Sequence, residues 1–265
     1  MSLAVRNLLS ILSQSFRKAK HLICVMKRQQ DPDTEFPHGT KLPRSDQVMS
    51  VGINFQRASK TDKNVSAAGQ VCAAKLPIDI LSCSLSTRPP LDVFRVTKKF
   101  NPKTVCNHRV YQYLLPSFSF ASGDNITLEN CWRYRLSAES LTRVNELLRR
   151  YKGTHNFFNF TSRRTPDDKS CMRYIMSIEC SPPFLLDGDR EFAIITVQGQ
   201  SFMLHQIRKM IGLVIAIVKG RTDIPKAPGL GLLLDQVSYA RYNERFCADG
   251  SHQSIDWERY RVGYV

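Results

Sequence analysis

The chain has 265 residues, is 42% hydrophobic and carries a formal charge of +15. That length and hydrophobic content support one sizeable core or two small ones, and exclude a collagenous or wholly disordered chain. The longest apolar run, Ile211 to Val218, falls far short of the roughly 20 residues needed to cross a bilayer, so no membrane span is expected. The excess of Lys and Arg favours a polyanionic partner, because cationic side chains release the counterions condensed on phosphates. Eight cysteines are scattered with no Cys-x-x-Cys pair and no Cys and His at zinc spacing. They read as reduced thiols of an intracellular protein, with no metal site implied.

The first thirty residues hold six Lys or Arg and no Asp or Glu, with Leu8, Leu9, Ile11 and Leu12 near helical spacing. This is the pattern of a mitochondrial presequence, and an acid-free basic segment suits a nuclear address equally. Residues 29 to 47, rich in Asp, Pro, Gly, Arg and Lys, read as a linker, so 1–50 is expected to be leader and linker. Strands are predicted at Val51 to Phe55 and Gly69 to Leu76, flanking a polar turn. A longer strand is predicted at Val105 to Leu115, with Tyr111, Tyr113 and Leu115 on one face.

Ser137 is placed to cap a helix running to Tyr151, with Leu141, Val144, Leu147, Leu148 and Tyr151 as its apolar stripe. Alternating segments at Arg173 to Cys180 and Phe192 to Gln198 predict two further strands. They are followed by a strongly apolar helix from about Met203 to Val218 and a turn, Pro225 to Leu234, that feeds a final strand. Strands and helices in this order indicate an α+β protein with helices packed on an antiparallel sheet.

The polar turn reads Lys60-Thr61-Asp62-Lys63-Asn64-Val65, followed by Ser66-Ala67-Ala68-Gly69-Gln70. A single carboxylate between two lysines stays ionised there and can reach a polyanion. The stretch resembles the catalytic loop of the TruA-type tRNA pseudouridine synthases, most closely their eukaryotic tRNA pseudouridine synthase 1 branch, and departs from it at Lys60 and Asn64. Three further segments carry the same resemblance in the same order. They are Arg109 to Tyr113, Tyr151 to Phe160 with its Gly-x-His-Asn-Phe pattern, and Gln200 to Gly212.

The resemblance implies two ferredoxin-like or RRM-like halves whose antiparallel sheets form a central basic cleft, with residues 51–103 and 104–242 as the halves and 243–265 as a tail. It also implies a shortened form lacking the family's first strand. Asp62 would be the catalytic residue, Tyr111 would stack on the extruded uracil, and Arg208 would pair with Asp62. An arginine on so apolar a helix needs such a partner, because an unpaired buried charge is costly. Lys60, Thr61 and Lys63 would bind substrate, and Arg57 with the arginines at 149, 150, 163 and 164 would grip phosphates.

His205, one turn before Arg208, reads as a packed histidine bonded to backbone rather than a general base. The implied reaction isomerises uridine to pseudouridine in structured RNA, chiefly tRNA, without cofactor, metal or ATP. The alternative is a catalytically impaired relative that still binds RNA.

Overall fold

The structure is a computed structural model and describes residues 19–28, 56–76, 92–121, 131–186, 188–221 and 225–257. In chain order the strands are β1 (Ala19–Arg28), β2 (Gln56–Arg57), β3 (Ser66–Leu76), β4 (Asp92–Val96), β5 (His108–Pro116), β6 (Gly153–Asn156), β7 (Met172–Cys180), β8 (Phe184–Leu186), β9 (Arg190–Gly199) and β10 (Leu232–Ser238). The helices are α1 (Ala138–Arg149), α2 (Gln206–Val218) and α3 (Ala240–Phe246). No helix among the described residues is long and apolar enough to cross a membrane. The described residues divide into two compact units, one holding those up to Lys60, those from Ala67 to Asn107 and those from Gln236 on, the other Thr61–Ser66 and those from His108 to Asp235.

In the first unit β1 pairs with both β3 and β4, each time in parallel, and β2 pairs antiparallel with β3. The expectation of antiparallel sheets throughout is therefore corrected to a mixed arrangement. Residues 19–28, read as part of a basic leader, form a strand. The predicted strand Val51 to Phe55 lies outside the described residues.

Phe100 anchors the core of this unit. Its ring lies 4.8 Å from Tyr242, edge to face, and 5.6 Å from Tyr239. The Tyr239 hydroxyl donates to the Pro102 carbonyl at 2.8 Å, and the Trp257 indole donates to the Val237 carbonyl at 2.6 Å. Buried aromatic rings thus keep their polar ends satisfied.

The second unit is an antiparallel sheet in which β9 pairs with β5, β7 and β8, and β7 with β6. Alternation along β5 buries Tyr111, Tyr113 and Leu115, as the period-two pattern requires. β5 begins at His108 rather than Val105, because Val105 donates its N–H to the Asn101 carbonyl within a local turn.

α1 is capped as read. The Ser137 hydroxyl accepts from the Ser140 N–H at 3.1 Å, and Val144, Leu147 and Leu148 are buried while Leu141 is half-buried. α2 buries Ile207, Met210, Ile211 and Val214. Six described cysteines, at 72, 106, 131, 171, 180 and 247, carry free thiols.

Candidate active site

The second unit brings together three segments around Asp62. The first is a tight turn in which Val65 donates its N–H to the Asp62 carbonyl at 3.2 Å. Asn64, the third residue of that turn, has φ +65°, a left-handed conformation that asparagine tolerates far better than most side chains. Val65 is 2% exposed, so the turn is pinned from its far side by an apolar anchor.

The second segment is the start of α2. The helix begins at Gln206, three residues later than its apolar spacing predicts, because residues 203–206 form their own turn. The Gln206 N–H donates to the Met203 carbonyl at 3.2 Å, and the fully buried Gln206 side chain accepts from the Met203 N–H at 2.9 Å. His205 stands at the N-cap in the left-handed region, φ +63°, and its side chain makes no capping bond. Holding a non-glycine residue there costs about 1–2 kcal/mol.

The third segment is 227–231. The Arg208 Nε donates to the Ala227 carbonyl at 2.7 Å, and the Ala227 N–H returns a bond to the Arg208 carbonyl at 3.1 Å. Tyr113 on β5 donates its hydroxyl to the Pro228 carbonyl at 3.0 Å. A Cβ added at Gly229 would lie 3.0 Å from the Lys63 carbonyl oxygen and 3.5 Å from Arg208 Cζ. This segment therefore packs directly on both the Asp62 turn and the arginine.

Arg208 is thus oriented by a backbone carbonyl through Nε, and its Nη1 reaches to 3.5 Å from Asp62 Oδ2. The Asp62 and Arg208 side chains are only 14% and 12% exposed, so the pair is shielded from screening yet still open to solvent. Among the described residues the His205 ring bonds to no backbone group, contrary to expectation. Its Nε2 lies 3.6 Å from Asp62 Oδ2.

Burial pushes the His205 pKa below the usual imidazole value. Asp62 pulls it up, while Lys226, Arg208 and Lys209 push it down further. Burial raises the Tyr113 phenol to about 12, with Arg208 pulling the other way, so it is a neutral donor throughout the physiological range.

Tyr111 is buried on β5, its ring edge-on to Phe202 at 5.3 Å. Phe202 directly precedes the 203–206 turn that holds His205. A Cβ on Gly199 would come within 2.7 Å of the Phe202 ring, so glycine is what lets that aromatic lie against the sheet. Lys60 and Lys63 are exposed and Thr61 is half-buried. Arg57, Arg149, Arg150 and Arg163 are exposed, and Arg164 pairs with Asp168 at 2.6 Å.

Sequence reasoning placed Arg208 beside Asp62 but passed over Tyr113 and Ala227, which hold the arginine's surroundings. Tyr113 and Pro228 stand 115 positions apart, so no local pattern signals their contact.

A family model described as tRNA pseudouridine synthase matches residues 147–239, a span that includes the Gly-x-His-Asn-Phe segment and all of α2. The chain is 50% identical over 225 residues to the human protein named Pseudouridylate synthase 1 homolog, an alignment covering 77% of this chain and 52% of that protein. The mouse protein of the same name is 48% identical over 240 residues, with coverages of 83% and 54%. A Yarrowia lipolytica protein named tRNA pseudouridine synthase 1 is 30% identical, with coverages of 78% and 58%. The chain spans about half the length of the curated relatives it matches. With the Asp62–Arg208 pair, the ordered motifs and these similarities together, the chain belongs to the TruA-type tRNA pseudouridine synthase family.

Proposed function

We propose that this chain isomerises uridine to pseudouridine in structured RNA, chiefly tRNA, with Asp62 as the catalytic residue. The observation that carries the reading is a solvent-reachable carboxylate held at 3.5 Å from a guanidinium that is itself fixed by a backbone carbonyl. An anion is what the reaction needs. The C1′–N1 bond breaks, the uracil turns while held, C1′ bonds to C5, and the proton leaving C5 is balanced by one gained at N1. The product is an isomer, so no oxidant, energy source or metal enters the balance. Asp62 serves either by attacking the sugar or by taking a proton from it, and both routes require the charged form.

Tyr111 stacks on the extruded base in this proposal, a contact worth about 1–3 kcal/mol, after the base leaves its own stack. Lys60, Thr61 and Lys63 bind the flanking backbone, with Arg57 and the arginines at 149, 150 and 163 gripping phosphates. Two ferredoxin-like halves around a basic cleft, as in the family, belong to the same reading. So does delivery to the nucleus or mitochondrion, supported by the acid-free basic composition of residues 1–30. A fluorescent fusion of that segment tests the address.

The experiment that tests the function is conversion of uridine in bulk tRNA by the purified chain, read by nucleoside mass spectrometry. New pseudouridine is the expected result. A folded, tRNA-bound protein that yields none would leave an RNA-binding relative impaired in catalysis.

A further inference from the structure

The two nitrogens that approach the Asp62 carboxylate approach the same oxygen. Arg208 Nη1 lies 3.5 Å and His205 Nε2 3.6 Å from Oδ2, and among the described residues nothing engages Oδ1. We propose that His205 is a positioning residue: together with Arg208 it holds Oδ2, fixes the plane of the carboxylate, and leaves Oδ1 as the oxygen that meets the ribose. This inference rests on the isomerase reading above.

The left-handed conformation of His205 belongs to the 203–206 turn, in which it is the third residue, a place that asks for positive φ but not for an imidazole. The residue is left-handed at φ +63° although it is not glycine, its side chain caps nothing, and its carbonyl is already taken by the Lys209 N–H at 3.0 Å. The ring is partly exposed, at 24%, so it is not a core filler. A glycine would adopt this backbone freely. What histidine adds is a ring nitrogen beside Asp62.

The chemistry suits that place. The titratable and charged groups facing the ring are Asp62, Arg208, Lys209 and Lys226, and burial with three cations keeps the imidazole neutral at neutral pH. A neutral Nε2–H donor steers the carboxylate without discharging it, as a second full cation would. One bound oxygen also removes the two-fold ambiguity of a free carboxylate before substrate arrives, which is the entropic part of positioning. At 3.5 and 3.6 Å both nitrogens stand at ion-pair distance from Oδ2 rather than at close hydrogen-bond distance, and contacts of this kind tighten in a Michaelis complex.

Two measurements on the full chain test this. The first is an NMR titration of the His205 ring, assigned by its loss in His205→Gln. Asp62→Asn removes the charge that raises the imidazole, so the midpoint should fall. An unchanged midpoint would show that the ring does not face Asp62 and would overturn the proposal regardless of activity.

The second is turnover at saturating tRNA. His205→Leu should lose roughly 100-fold with its tRNA affinity and melting temperature held. His205→Gln, which keeps an N–H near the Nε2 position, should recover most of that rate. Equal turnover in His205→Leu and wild type, or loss that follows tRNA affinity or melting temperature, would overturn the positioning role. No product from the wild type, beside a shifted midpoint, would overturn the isomerase reading and with it the catalytic role, while upholding the His205–Asp62 pairing.

Discussion

Arg208 meets Asp62 with one nitrogen and the Ala227 carbonyl with another, and that division of labour separates arginine from lysine here. A planar fork can serve both partners at once, whereas an ammonium is a single point. Arg208→Lys should therefore lose one charged hydrogen bond, costing about 1.5–3 kcal/mol of stability, and lower turnover at least tenfold. Unfolding midpoints and a tRNA assay check the two effects separately, and a fully active, fully stable variant would contradict the role given to Nε.

The pair was legible in the sequence because an arginine on a helix as apolar as Ile207 to Val218 must find an acid, and Asp62 lay in the motif that supplies one. His205 was not legible. Helical spacing from Met203 put it on a regular turn, and the left-handed φ that redirects its ring arises from the Met203–Gln206 turn, which no periodicity reveals.

At the scale of elements, α2 and the segment after it behave as one piece. A Cβ on Gly212 would run into the Pro225 carbonyl oxygen, while the Ala227 amide and carbonyl both bond to Arg208. Alanine inside a helix usually gains about 1 kcal/mol over glycine. Here the contact is with backbone that cannot swing aside, and overpacking costs about 1–3 kcal/mol or more. Gly212→Ala should thus lower the melting temperature and also reduce turnover, because the displaced segment carries the carbonyl that orients Arg208. A stabilised, active Gly212→Ala would contradict this packing.

Elements with a strong period were readable, as α1, β7 and β9 show. Short ones were not. β6 has four residues and β8 three, too few for alternation to stand out, and their pairing with β7 and β9 is a long-range matter. β1 escaped because its Lys and Arg content reads as a leader, whereas its strand character comes from neighbours β3 and β4 far along the chain.

At the scale of the whole molecule, the formal charge of +15 makes salt the governing variable for any RNA partner. Affinity for tRNA should fall steeply with ionic strength, by about 10³-fold or more between 50 and 200 mM salt if some six to ten phosphates are engaged. Filter binding across that range checks it, and a flat response would contradict phosphate gripping.

The sequence indicates an α+β protein whose charge suits a polyanion, yet the interleaving of its two units is invisible in linear order. The turn at 61–66 belongs with residues 108–235, and the chain from Gln236 belongs with the first unit. Such exchanges are set by which strands pair, not by local composition.

The most direct test of the claim that Asp62 performs the isomerisation is a single-turnover assay with tRNA in excess of its dissociation constant. Wild type, Asp62→Ala and Asp62→Asn are compared, and tRNA affinity is measured separately for each. Pseudouridine from wild type alone, with affinities within about twofold, is the predicted result, since the substitutions remove one negative charge from a phosphate-binding surface and leave the cations in place. Product from either variant at the wild-type rate would contradict the assignment of Asp62 as the catalytic residue.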